Sequence, residues 1–343
     1  MNDIVDRHSP IATLFPGYFA LVMATGIVAV GAALEDVDVV AKLLYWVAVA
    51  AYAVLSVLLV VRITRYRPLF VADLTNHAKG FAFLTIVAAT NVLAAASFTI
   101  HGWTTVAWVL WWASLPLWAA FVYATLIAVV IGDVKPGLQA GINGTWFLLT
   151  VSTQSIAVVA GLLLTTTDRD LLAFAALAAF LLGIVLYLIV MTMVFLRWTF
   201  HELDPTEADP PAWIAAGAVA ITVLAGSNLL LAARTGDPRL AGVAAVIEVL
   251  VVMAWATATF WFPLMVAIGV WRHLVRRVPL RYHPSYWAMV FPLGMYGAAT
   301  HRMRDVIDLD GLGWLPPAML VVALTAWAVT CTGLVRTLLR RPD

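Results

Sequence analysis

Residues 171–196 read LLAFAALAAFLLGIVLYLIVMTMVFL. No charge interrupts the run, and apolar side chains fill every turn instead of alternating with polar ones. A transmembrane β-strand alternates over roughly ten residues between an apolar and a polar face, so this stretch reads as a helix that crosses a bilayer. About 20 to 25 residues suffice for one crossing. Similar runs recur along the chain, near 14–34, 39–61, 81–100, 104–131, 144–164, 213–233, 240–270, 284–300 and 314–335. With 171–196 they give ten expected spans. The first run follows Asp3, Asp6 and Arg7 and is too long and too lightly basic at its start for a cleaved signal peptide, so it reads as a retained span.

Composition agrees. Of 343 residues 63% are hydrophobic and 11% charged, against about 25% charged in a soluble domain. Ten spans take roughly 230 residues, which leaves no room for a soluble domain, and residues 1–343 read as one transmembrane unit. A net charge of +1 without a long basic run excludes a nucleic-acid partner. The single cysteine, Cys331, excludes an intrachain disulfide and a cysteine-ligated metal.

Orientation follows from the cations, which concentrate in cytoplasmic loops. Lys42, Arg169, Arg234, Arg239, Arg302 and Arg304 fall on one side, and the other 14 of the 20 Lys and Arg fall on the side of both termini. Both termini are therefore expected in the cytoplasm, with the chain in the plasma (inner) membrane. The odd spans start near 14, 81, 144, 213 and 284, so the chain reads as five similar hairpins. Odd spans are short and rich in Gly, Ser, Thr and Asn, and even spans are longer and uniformly apolar. Small and polar residues belong at helix contacts or beside water. The expected fold is all-α: ten helices as five hairpins, odd helices inside around a central pore and even helices outside.

Groups for catalysis are scarce. All seven histidines lie at helix ends or in loops, no HExxH occurs, and Glu248 is the single ionisable acid within a span. Neither a catalytic constellation nor a metal or cofactor site is expected. Passage of a solute remains. Thr90 and Asn91, Ser152 to Ser155 including Thr153 and Gln154, and Thr222 with Ser227 and Asn228 put polar groups into odd spans. Such residues either glue helices together by hydrogen bonds or line a path. Thr90, Asn91, Thr153, Gln154 and Thr222 are the candidate lining residues.

The ninth span carries the most specific pattern, SYWAMVFPLGMYGAAT at 285–300. It closely resembles the ninth helix of the tellurite-resistance and dicarboxylate transporter family, which includes the slow anion channels of plant guard cells. The resemblance extends to Pro16-Gly17-Tyr18-Phe19, to Trp146 through Ser155 and to WIAAGAVAI at 213–221, and so runs from end to end. It implies a ten-helix protomer around a central pore, assembled as a homotrimer. It also implies a pore gate at Phe291 with Ala20 facing it, and as substrates small inorganic or organic anions, from chloride, nitrate and sulfite to malate-type dicarboxylates and tellurite. Prolines that members often place inside odd helices are absent from the centres of the third, fifth and seventh spans.

With no Lys or Arg at mid-depth, an anion meets hydroxyls, amides and backbone N–H groups, and weak sites of that kind suit channel-like conduction. Glu248 leaves a second reading open, since an acid inside a span often marks a proton path. Proton-coupled transport of a dicarboxylate is that alternative. Arg302 and Arg304 either gather anions at the pore mouth or pair with Asp305 and Asp308.

Overall fold

The computed structural model describes residues 9–167, 169–205, 210–235 and 238–339. Asp3, Asp6, Arg7, His8, Arg340 and Arg341, used above, lie outside the described residues. The described chain is helical and contains no strand. Its long helices are α1 (Ala20–Leu34), α2 (Asp38–Arg65), α3 (Thr85–His101), α4 (Thr104–Ile131), α5 (Leu148–Leu164), α6 (Asp170–Phe200), α7 (Ile214–Arg234), α8 (Ala244–Val270), α9 (Trp287–Ile307) and α10 (Leu315–Leu339).

Burial divides them into two sets. The most apolar windows of the α3, α5 and α7 segments are 94% to 100% buried, whereas those of α2, α4, α6, α8 and α10 are 17% to 28% buried. Helices α1 and α9 are also buried along most of their length. The buried helices form a closed ring, with α1 against α3, α3 against α5, α5 against α7, α7 against α9 and α9 back against α1. Each outer helix lies in the groove between two ring members: α2 on α1 and α3, α4 on α3 and α5, α6 on α5 and α7, α8 on α7 and α9, α10 on α9 and α1.

The outward faces are apolar, with Leu171 76%, Phe174 70% and Val249 68% exposed. A surface of this kind needs a lipid or protein neighbour. Eight of the helical segments are long and apolar enough to cross a membrane. α1 is apolar but has 15 residues, and α9 runs out into the polar stretch His301-Arg302-Met303-Arg304-Asp305.

Hydrogen bonds between the layers fix the register. Tyr52 Oη on α2 lies 2.7 Å from Thr90 Oγ1 on α3. The indole N–H groups of Trp118, Trp255 and Trp327 donate to the hydroxyls of Thr153, Thr300 and Thr25. The last of these ties α10 to α1 and closes the circle. With no water in the bilayer to compensate, each such hydroxyl is satisfied inside the protein.

The ring helices begin in a common way. Four are preceded by 3-10 turns, at Gly80–Leu84, Gly144–Phe147, Pro210–Trp213 and Pro284–Tyr286. Ahead of α1 the Pro16-Gly17 stretch forms turns, so regular helix starts at Ala20 and not near 14. Proline has no N–H to give and fits such openings. Within the ring only α9 has an internal proline, Pro292. At the start of the bundle Arg62, 1% exposed, donates from Nη1 to the Leu14 carbonyl at 2.8 Å and pairs through Nη2 with Asp73.

Candidate functional site

Each ring helix presents one stripe to the ring axis. On α1 it is Ala20, Met23, Ile27, Val30 and Leu34; on α7, Ile214, Ile221, Leu224 and Asn228. Steps of three, four and seven are the repeat of one face of an α-helix. The stripes enclose two cavities. One, near the starts of the ring helices, is walled by Ala20, Met23, Thr85, Leu148, Ile214, Ala288 and Phe291. The other, toward their ends, is walled by Ile27, Asn91, Ser155, Ile221, Asn228, Met295 and Arg302.

All five ring helices contribute to both walls, which places the cavities on the axis. Each offers about 20 Å³ to the centre of a water-sized sphere, and roughly 10–15 Å³ is needed to seat one water. A wider opening of about 490 Å³, containing Asp73, Lys79 and His283, shares Phe15, Ala82 and Thr145 with the first cavity. It forms a mouth at that end.

Phe291 is 1% exposed and lines the first cavity together with Ala20. Met295, one turn further along α9, lines the second. The Phe291 ring rests against Gly217 of α7: a Cβ at 217 would lie 3.2 Å from its Cδ1 and Cε1 and 2.8 Å from Cγ of Pro292. Pro292 also lacks the N–H that would bond the carbonyl four residues back. That carbonyl belongs to Ala288, on the wall of the same cavity.

The other candidate lining residues separate by register. Asn91 is on the axis, in line with Ala95 and Thr99 of α3. Thr90 is turned about 100° away and meets Tyr52 of the outer layer. Thr153 likewise accepts from Trp118, and Gln154 Nε2 donates to the Phe180 carbonyl of α6 at 2.9 Å. Thr222 follows the lining residue Ile221 and bonds back to the Ala218 carbonyl. The polar groups of Thr90, Thr153, Gln154 and Thr222 thus serve interlayer or intrahelical bonds, and none of the four residues is among those lining the two cavities. Glu248 is exposed on the second turn of α8 and touches neither cavity.

Sequence reasoning left Ser155 and Asn228 out of the lining set, although the stripe spacing within α5 and α7 identifies both once one wall residue is known. Arg302 lines the second cavity, with Nη1 3.9 Å from Asp305. Arg304 Nε donates to the Leu309 carbonyl, and Asp308 pairs with Arg234. His301 Nδ1 is 2.7 Å from Glu35 Oε1 across the α1–α9 contact. Among the described residues no cluster of three His, Cys, Asp or Glu side chains is placed to hold a metal ion.

Comparison with known proteins gives a concordant picture. Residues 13–335 match the family described as voltage-dependent anion channel (SLAC1). An uncharacterized membrane protein of Mycobacterium tuberculosis is 37% identical over 145 residues, 42% of this chain and 73% of that protein. An uncharacterized transporter of Methanocaldococcus jannaschii is 24% identical, covering 93% of this chain and 92% of its own. A sulfite efflux pump of Arthroderma otae is 26% identical over 94% of this chain and 90% of its own.

Proposed function

Because the chain belongs to the voltage-dependent anion channel family, we propose that it passes small anions along the axis of its helix ring, through a pore gated by Phe291. The observation that carries this reading is the pair of cavities, each walled by all five ring helices, with Phe291 and Gly217 in contact beside the first. In the proposal all ten long helices cross the bilayer, both termini are cytoplasmic, and the mouth beside Lys79 opens to the cytoplasm. Three copies assemble through the apolar outer faces, each keeping its own pore. The membrane is the plasma (inner) membrane.

A gate of this kind works by bulk and by dewetting. Apolar walls that approach too closely hold no water, so an ion cannot stay hydrated between them. Around the first cavity the hydroxyls of Thr85 and Thr145 are engaged with the Ala82 carbonyl and with Asn143, and the remaining surface is largely apolar. In the proposal, opening is a movement of the Phe291 ring away from its seat on Gly217.

Sulfite belongs among the candidate substrates, since a relative matched over nearly the whole chain is named a sulfite efflux pump. Proton-coupled carriage of a four-carbon dicarboxylate or of tellurite is the second reading. Coupling through Glu248 is disfavoured by its exposed position away from the axis. The test is flux from proteoliposomes loaded with chloride, nitrate, sulfite, malate or tellurite, with and without a pH gradient. Anion release independent of the gradient supports the channel; release only with the gradient supports coupled transport; no release of any anion overturns both.

A further inference from the structure

The second axial cavity contains two buried amides whose orientation is fixed by their neighbours. Asn91 and Asn228 are each 1% exposed. Asn91 Nδ2 donates to Ser155 Oγ at 3.0 Å and to the Val87 carbonyl at 3.3 Å. The Ser155 hydroxyl gives its own proton to the Ser152 carbonyl at 2.7 Å, so toward Asn91 it can only accept, and the amide must turn its NH2 to it. Asn228 Nδ2 donates to the Val158 carbonyl at 3.1 Å, and a carbonyl likewise accepts only. Each amide nitrogen thus donates to α5, and both Oδ1 atoms are left without a partner among the described residues.

Ser155 and Val158 are three residues apart on α5, neighbours on one helix face. The two amides therefore reach one face of α5 about one turn apart. Gly161 lets α7 approach there, since a Cβ at 161 would lie 2.9 Å from Asn228 Cβ. On the same wall Arg302 supplies the cation of the cavity, and its Nε, too, is buried without a partner. Asp305, 3.9 Å from Nη1, is its charged neighbour on α9, and His301 and Glu35 form a pair nearby.

Two orphan acceptors and a guanidinium with an orphan donor, all on the wall of one cavity, define a complementary ligand. A bare halide or nitrate satisfies the donor and leaves both acceptors empty. An oxyanion that keeps one O–H satisfies both kinds of group: its negative oxygen accepts from Arg302 and its hydroxyl donates to an asparagine oxygen. Buried polar groups left unpaired are what lets a site reject an analogue lacking the matching hydroxyl. Resting on the anion-passage reading above, we propose that Asn91, Asn228 and Arg302 form a selectivity site for monovalent oxyanions bearing a hydroxyl, the class of hydrogensulfite and hydrogencarbonate.

Hydrogencarbonate and nitrate make a clean comparison, as both are planar, singly charged and similar in size, and only the first has an O–H. Fluxes of the two would be measured at one fixed pH in proteoliposomes with the full chain, for wild type and for Asn91→Ala, Asn228→Ala and the double variant. The proposal expects wild type to prefer hydrogencarbonate, with the ratio falling several-fold in the double variant while nitrate flux persists. Thermal stabilisation of the detergent-solubilised protein by each anion gives a second readout that needs no conduction, and hydrogencarbonate should stabilise wild type more than the double variant. A ratio unchanged by the substitutions, together with equal stabilisation, would mean that the amides hold only water and would overturn the site. Absence of flux for every anion, with selective stabilisation intact, would overturn the conduction reading and leave the binding site standing.

Discussion

The Phe291 ring lies directly on Gly217, so close that a β-carbon on residue 217 would meet two ring carbons at 3.2 Å. Helices α7 and α9 touch at this point, and the ring projects to the first axial cavity because nothing on α7 pushes it elsewhere. Bulk at 291 and its absence at 217 are complementary halves of one arrangement.

Truncation at 291 tests the first half. Phe291→Ala should fold, reach the membrane and raise anion flux severalfold, with Phe291→Leu doing less. A buried Phe→Ala change ordinarily costs roughly 3–5 kcal/mol; here water can fill the void from the adjoining cavity, so the loss of stability should be smaller. Flux per folded protomer equal to wild type would remove the gate.

Gly217→Ala tests the second half. Its new methyl group would sit 2.8 Å from the rigid Pro292 ring as well as against Phe291, and overpacking of this kind costs roughly 1–3 kcal/mol. We expect a lowered melting temperature and a raised basal flux, because the aromatic ring is displaced from its seat. Residues in contact are not additive, so the double variant with Phe291→Ala should conduct no more than Phe291→Ala alone. Additive fluxes would show the two positions to be unrelated.

A third expectation concerns Arg62 and Asp73. Removing one member of a buried ion pair leaves the other uncompensated and costs roughly 3–5 kcal/mol; with Lys79 still 2.9 Å from Asp73, Arg62→Met should fall near the lower end. Lys79 is 58% exposed in that contact, so Lys79→Met should cost roughly 0–1 kcal/mol. Thermal unfolding in detergent measures both, and a larger loss at 79 than at 62 would contradict the assignment.

Glu248→Gln should leave conduction and its pH dependence unchanged, since the side chain is exposed on the outer face of α8. Loss of gradient-driven accumulation at normal protein level would instead establish proton coupling through this residue.

Topology is tested with tags. Reporters at either terminus should resist a membrane-impermeant reagent in intact cells and react once the cells are opened. Labelling of either end from outside would reverse the orientation drawn from the cation bias.

The sequence by itself determined that the chain is a helical membrane protein, because the low dielectric of a bilayer leaves a charge-poor apolar chain few options and demands internally bonded backbone. It also distinguished small, polar helices from greasy ones, which is the difference between helices touching helices and helices touching lipid. What composition could not supply was azimuth. Thr90 and Asn91 are adjacent and similarly polar, yet one rotation step of about 100° sends Thr90 to Tyr52 in the outer layer and Asn91 to the axis. The same step separates Thr222 from Ile221, and hydrogen-bond partners on outer helices claimed Thr153 and Gln154. Only closure of the ring, where α9 returns to α1, fixed which stripe of each helix faces inward. That choice rests on contacts between residues as distant in the chain as Thr25 and Trp327, and no local pattern encodes them.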